Sequence, residues 1–388
     1  QSGPANEKDA ALNRTAQFMT GMPVSTASKV ELLIDGGPTY DALVKAIEAA
    51  QQHIHVEYYI FLGDRTGTRI RDALIERARA GVKVRVLLDG IGSRLSGKFT
   101  KPLKEAGAEL AFFHPVRWWM TFFARPKINM RSHRKIVICD GKVGFTGGIN
   151  VTDDENDQLK DDAFHDMHMR LEGEVVRWLQ IAWLEDWHYA TQKQIELDSV
   201  SAPAAKGPIS AQVIPAGPDN AWEPVHRVEV SAIHRAQSRV WLATPYFVPS
   251  RAALFALEAA AMRGLDVRVL VPKRSDSRMV TPAARSYFDR LLKAGVRIFE
   301  YGPRMLHTKA LLVDDEISIL GTSNFDARSF ALNFEIVVLF CDAGVATNLS
   351  TSLAVDLAAA SEVTKDSPRP SFLSRLSEGI ARLFSPIL

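Results

Sequence analysis

The chain has 388 residues, 46% hydrophobic and 24% charged, which is enough for two or three domains with large cores and unlike a disordered segment. Lys plus Arg is 47 against 45 Asp plus Glu, and a formal net charge of +2 argues against a strongly basic nucleic-acid surface. Two cysteines cannot build a disulfide framework, and no run reaches the ~18 apolar residues of a membrane span. Cys139 and Cys341 fall in strand-like apolar runs and read as buried free thiols. The chain begins at Gln1 rather than Met, which leaves an upstream leader or anchor open.

Residues 1–28 are polar and without sustained period, and are expected to be flexible. From Lys29 an alternation begins: KVELLIDG reads as a strand, DALVKAIEAAQQ as an amphipathic helix and HIHVEYYIFL as a second strand. TRIRDALIERARAG then reads as a helix closed by Gly81, followed by the strand VKVRVLLD. Alternating helices and strands predict a layered α/β fold with a largely buried sheet.

The pattern occurs twice. ERARAGVKVRVLLD returns as AAAMRGLDVRVLVP, HIHVEYYIF as RVWLATPYFV, and PLKEAGAEL as RLLKAGVRI. The offset is 183 residues from Gly81 to Gly264 and 188 from Gly107 to Gly295, so a whole α/β unit is duplicated. The expected organisation is a first lobe over 29–198, a small-residue and proline linker over 199–208, a second lobe over 209–366 and an amphipathic segment over 367–388.

Each half carries one copy of H-x-K-x4-D-x6-G-x-x-N. The first is HRKIVICDGKVGFTGGIN, with His133, Lys135, Asp140, Gly147 and Asn150; the second is HTKALLVDDEISILGTSN, with His307, Lys309, Asp314, Gly321 and Asn324. Positions i and i+2 of a strand share a face, so each His projects with its Lys. Two lysines and two Asn amides (Asn150, Asn324) make a cationic clamp for a phosphate and its pentacoordinate transition state. Two imidazoles suit one nucleophile and one general acid, in line across phosphorus. A phosphodiester is the natural substrate. No metal or cofactor is called for, because the lysines supply the charge. His53 with His55, and His165 with His168, lack the partners of a metal site.

These motifs resemble the phospholipase D superfamily from about residue 30 onward. NMRSHRKIVICDGKVGFTGGIN, HDMHMRLEG, PYFVPS, YFDRLLKAGVRIFEY, RSFALNFE and the ending ARLFSPIL are similar to bacterial cardiolipin synthases. The resemblance implies two phospholipase D-like lobes, each a mixed β-sheet flanked by helices, related by a pseudo-two-fold axis, with the active site between them. It implies that one His forms a covalent phosphatidyl-enzyme while the other protonates the departing alcohol and deprotonates the incoming one. In most relatives the first motif supplies the nucleophile, here His133, leaving His307 as acid and base. Both motifs are intact, so the residues alone leave that assignment open. A carboxylate downstream of each motif orients a His in this superfamily; the matching residues are Asp166 and Glu335, 33 and 28 residues after the two histidines. Asp140 and Asp314 are expected to be structural. Gly148 stands where the second motif has Thr322, so a hydroxyl is missing on one side.

The superfamily acts on lipids and on nucleic acids. The first half carries 14 extra residues between its Gly107 and His133, relative to the span from Gly295 to His307. They fall in FFHPVRWWMTFFARP, where Trp118, Trp119, Phe122 and Phe123 with Arg117 and Arg125 resemble a loop docking at a membrane interface. Core packing beneath a loop and stacking on single-stranded bases are the alternatives. In SFLSRLSEGIARLFSPIL, apolar residues recur at three- or four-residue steps, as in a helix lying on a bilayer or on the protein's own body. The acidic run 153–162 reads as a solvated loop, placed to rim the site and disfavour nucleic acid.

The expectation is therefore phosphatidyl transfer at the surface of a bacterial inner membrane. It makes cardiolipin from two phosphatidylglycerols with release of glycerol; no nucleic-acid partner is involved and no oligomer is required. Hydrolysis to phosphatidic acid is the alternative, and a nuclease or other phosphodiesterase the more distant one.

Overall fold

A computed structural model of the chain describes residues 7–114, 130–202, 206–277 and 279–364. In chain order it begins with α1 (Glu7–Thr20), β1 (Ser25–Ala27), β2 (Lys29–Ile34), α2 (Gly36–Ala49), β3 (His53–Tyr58) and α3 (Arg65–Arg79). There follow β4 (Lys83–Asp89), α4 (Gly97–Glu105), β5 (Glu109–Phe113), β6 (Arg131–Ser132), β7 (Ile136–Cys139), β8 (Val143–Gly147), β9 (Met167–Glu172) and α5 (Val175–Thr191). The second half opens with β10 (Ile209–Ala216), α6 (Pro224–Arg235), β11 (Arg239–Ala243), α7 (Arg251–Met262), β12 (Asp266–Pro272), α8 (Val280–Arg285), α9 (Phe288–Ala294) and β13 (Arg297–Tyr301). It closes with β14 (Ala310–Val313), β15 (Ile317–Gly321), α10 (Ala327–Ala331), β16 (Asn333–Cys341), α11 (Ala343–Ala359) and β17 (Ala360–Val363).

The first sheet has the order β2-β9-β8-β7-β3-β4-β5, and the second β1-β10-β16-β15-β14-β11-β12-β13-β17. Without its outermost strands, the second sheet repeats the first strand for strand, β10 standing for β2 and β13 for β5. The senses agree as well: β3–β4 and β11–β12 are parallel, whereas β3–β7 and β11–β14 are antiparallel. The duplication read from the sequence is thus a duplication of fold.

Alternation along the motif strands explains the layering. In β7, Ile136 and Ile138 join an inner core that includes residues of both sheets, whereas Val137 and Cys139 join an outer core with α2 and α3. In β14, Ala310 and Leu312 face the inner core, and Leu311 and Val313 the outer one under α6 and α7. Strands buried on both faces are apolar at every position. Helices α5 and α11 fill the inner layer through Trp183, Trp187, Leu349 and Leu353. The tryptophans pack as helix core, with Trp183 and Trp187 stacked at 5.1 Å and the His55 ring on Trp183 at 3.9 Å.

Flexibility over residues 1–28 is corrected for 7–27. Leu12, Ala16 and Met19 of α1 bury a narrow stripe against the second half's outer core, and β1 pairs antiparallel with β10. The stripe is one residue wide and partly alanine, too faint to stand out as a period. The aromatic segment with Arg117, Trp118, Trp119, Phe122, Phe123 and Arg125, and the segment 367–388, lie outside the described residues. Among the described residues no helix is long and apolar enough to cross a membrane.

Candidate active site

Both motifs end up between the sheets, and the histidines exchange partners across the halves. β6 pairs in parallel with β16, Arg131 opposite Asn333 and Ser132 opposite Phe334, and His133 N–H donates to the Phe334 carbonyl at 2.9 Å. Glu335 is the next residue, and its Oε2 lies 2.9 Å from His133 Nδ1. On the other side, His307 N–H donates to the His165 carbonyl at 2.7 Å, and Asp166 Oδ2 lies 2.6 Å from His307 Nδ1. Each carboxylate therefore orients the histidine of the other half. With Nδ1 engaged, each ring leaves Nε2 for chemistry.

The lysines sit beneath. Lys135 Nζ donates to the His133 carbonyl at 2.8 Å. Lys309 Nζ lies 2.9 Å from His307 Nδ1 and 3.3 Å from Asp166 Oδ2, and also donates to the His307 carbonyl. All six groups are buried, so the interactions among them are little screened by water. Burial, aided by Lys135 and Lys309, brings His133 down to about 4 against the opposing pull of Glu335, so its ring is neutral at neutral pH. Burial brings Lys135 down to about 7 and also lowers Lys309. Burial works to raise Asp166, but Lys309 and His307 hold it at about 2; Glu335 is likewise held down by His133 and Lys135. The result is a dry corner with donors fixed in place before any anion arrives.

The supports differ between the halves. Thr322 Oγ1 donates to Glu335 Oε2 at 2.5 Å. At the matching position, a Cβ on Gly148 would fall 2.3 Å from both Asp166 carboxylate oxygens, so Asp166 fills the room a side chain would take. Asn150 is committed to the protein: its Nδ2 donates to Glu155 Oε1 at 2.7 Å and its Oδ1 accepts from Ile60 N–H at 3.3 Å. Asn324 Oδ1 is buried without a partner. Asp140 and Asp314 lie at the far ends of β7 and β14, both with positive φ (56° and 54°). Asp140 accepts from the N–H groups of Gln51, Gln52 and His53, and Asp314 from those of Gln237, Ser238 and Arg239.

The profile described as "Cardiolipin synthase, PLD-like domain" matches residues 43–183 and 230–356. The chain belongs to this family. It is 41% identical over 389 residues to a cardiolipin synthase of Alkalihalophilus pseudofirmus, covering 97% of this chain and 76% of that protein. A cardiolipin synthase of Geobacillus kaustophilus is likewise 41% identical, over 97% of this chain and 76% of the relative. In fold the chain is similar to a phosphatidylserine synthase of Haemophilus influenzae, with TM-score 0.73 and 15% identity over 97% of this chain and 98% of that one.

Two further features of this family member escape a reading of its sequence. Glu155, inside what reads as a solvated acidic run, turns inward to hold Asn150, while Asp153 and Asp157 accept from Thr66 and Gly37 N–H at the starts of α3 and α2. Ligand atoms of Glu155, Asp166 and His307 lie within 4.8 Å of one another. Lys309 Nζ already brings positive charge to that corner, which disfavours a cation there. The second feature is the set of groups around His165, which no local motif brings together.

Proposed function

We propose that the chain is a phosphatidyl transferase that makes cardiolipin from two phosphatidylglycerols and releases glycerol, as the names of its relatives suggest. The observation that carries the chemistry is the crossed pair of histidines, each backed by the other half's carboxylate and flanked by a buried lysine. His133, neutral, attacks phosphorus through Nε2. The glycerol oxygen leaves and takes a proton from His307 Nε2. A hydroxyl of the second phosphatidylglycerol gives its proton back to His307 and attacks the phosphohistidine, breaking the P–N bond and freeing His133. Lys135 and Lys309 neutralise the phosphoryl oxygens, with Asn324 the better placed of the two motif amides to join them. Both motifs lie in one chain, so the site needs no second copy. The reading extends to a peripheral position on the inner membrane, docked through the aromatic segment around Trp118 and Trp119.

The test is incubation with phosphatidylglycerol vesicles, wild type beside His133→Ala, with products resolved by mass spectrometry. Cardiolipin and glycerol from wild type alone support the reading. Phosphatidic acid as the only product would make the protein a hydrolase.

A further inference from the structure

His165 and Phe334 hold matching places in the crossed arrangement, each passing its carbonyl to the other half's catalytic His and preceding the orienting carboxylate. Phe334 is packed apolarly, with Phe113 at 5.0 Å, Tyr189 at 6.1 Å and the Arg134 guanidinium at 5.7 Å. His165 is just as buried but ionic. Its Nδ1 lies 2.7 Å from Asp35 Oδ1, its Nε2 2.8 Å from Asp356 Oδ1, and its ring stacks on Tyr301 at 5.2 Å. Arg304 donates to Asp35 Oδ2 at 2.6 Å and lies 3.1 Å from His165 Nδ1. A ring with a carboxylate on each nitrogen carries both protons. Burial opposes that charge, but the bonds to Asp35 and Asp356 outweigh it and raise His165 to about 9.

Asp35 does more than pair with this ring. Its N–H donates to the Asp166 carbonyl at 2.9 Å, and its Oδ1 accepts from Asp166 N–H at 3.3 Å, so it grips both peptide groups of Asp166. To do so it adopts φ 67° and ψ 170°, a region that glycine alone enters freely. A non-glycine residue stays there only where its surroundings over-determine it, and here those surroundings are His165, Arg304 and Asp166. The clamp spans the chain: Asp35 and His165 come from the first half, Arg304 and Asp356 from the second.

We infer that His165 is a positioning residue for His307: held between Asp35 and Asp356, it fixes the peptide that carries Asp166 and, through Asp166, the ring that handles the proton. This rests on His307 being the acid and base, and a change of leaving group separates the two ideas. Glycerol needs a proton to depart; p-nitrophenolate does not. His165→Phe, which copies Phe334, and the milder Asp356→Asn are each compared with wild type on phosphatidylglycerol and on phosphatidyl-p-nitrophenol, with His307→Ala as the reference. A misplaced acid lowers kcat on phosphatidylglycerol by about 100-fold at little-changed KM, and the first-turnover burst of nitrophenol, which precedes any need for the base, by less than about 3-fold. Parallel losses on both substrates, or no loss on either, against a leaving-group-selective His307→Ala would overturn the role of His165. A His307→Ala enzyme whose nitrophenol burst falls as far as its turnover of phosphatidylglycerol would remove the acid role from His307, and the inference with it.

Discussion

The two halves of the site share a motif and a strand order but secure their histidines by different physics. Around His133 the support combines strand pairing with one anchored arginine: β6 pairs with β16, and Arg134 donates to the Glu335 and Ala216 carbonyls at 3.0 and 3.1 Å while its guanidinium pairs with Asp186 at 2.5 Å. The carboxylate there has a long arm and a neighbour with a hydroxyl, Glu335 and Thr322. Around His307 there is a single isolated bridge, a short-armed Asp166 against bare Gly148, and an ionic clamp on the preceding residue. Duplication supplies two equivalent imidazoles, whereas an in-line transfer needs one to stay neutral and one to move a proton. Divergence of the supports, with the motifs kept, is one way to separate those roles.

The largest expected effect is the one that would erase the difference if it failed. With phosphatidyl-p-nitrophenol, His307→Ala should still form an adduct, and peptide mass spectrometry should find it on His133. No base remains to activate the acceptor, so turnover should fall by about 10⁴-fold. His133→Ala should give no adduct at all. An adduct found on His307 would exchange the roles. Next in size is Gly148→Ala, whose Cβ would displace the Asp166 carboxylate. A displaced orienter should lower kcat about 100-fold. Thr322→Val removes one hydrogen bond to Glu335 and leaves its arm in place, for about 10-fold. Equal losses would mean that the two carboxylates are held alike.

A smaller effect sharpens the same contrast through pH. His133 lies at about 4 because burial and the two lysines disfavour its charge. On the acid side, adduct formation, measured as burst amplitude and rate, should therefore hold down to about pH 5 and decline as pH falls through about 4. Glu335 is the group that favours the charged ring, so Glu335→Gln should move this limb to lower pH as well as slowing the burst. A limb that moved upward would contradict the burial argument.

How much of this was legible in the sequence follows from distance along the chain. The duplicated α/β unit and the four residues His133, Lys135, His307 and Lys309 were readable, since strand periodicity and an ungapped repeat act over 20 residues or fewer. Asp166 and Glu335 could be picked out, but each follows its own half's motif, and nothing in that order says that their carboxylates cross over. The His165 clamp draws on residues 35, 304 and 356, which only the tertiary fold assembles. Glu155 was hidden by its neighbours: a carboxylate among five aspartates looks solvated until the loop is seen to turn inward. The Ile-Asp-Gly-Gly run ending β2 was the one available hint, because an aspartate before two glycines marks a chain about to take an unusual turn.

The smallest effect is on stability, and its sign separates a charged clamp from a merely packed one. His165 has its pKa raised from 6.5 to about 9 in the folded protein by Asp35 and Asp356. A group raised on folding contributes stability that is fully present below its unfolded pKa and lost as pH rises through its folded one. Wild type should therefore lose part of its advantage over His165→Phe between about pH 6.5 and 9, when both are followed by denaturant unfolding at several pH values. Lys135, which lies near 7, titrates in the same window in both proteins, so the difference between them isolates His165. If the ring were held by stacking on Tyr301 alone, the difference would be flat across that range. In that case the ionic half of the site would be an apolar half with polar neighbours, and the contrast between the two halves would reduce to Gly148 and Thr322.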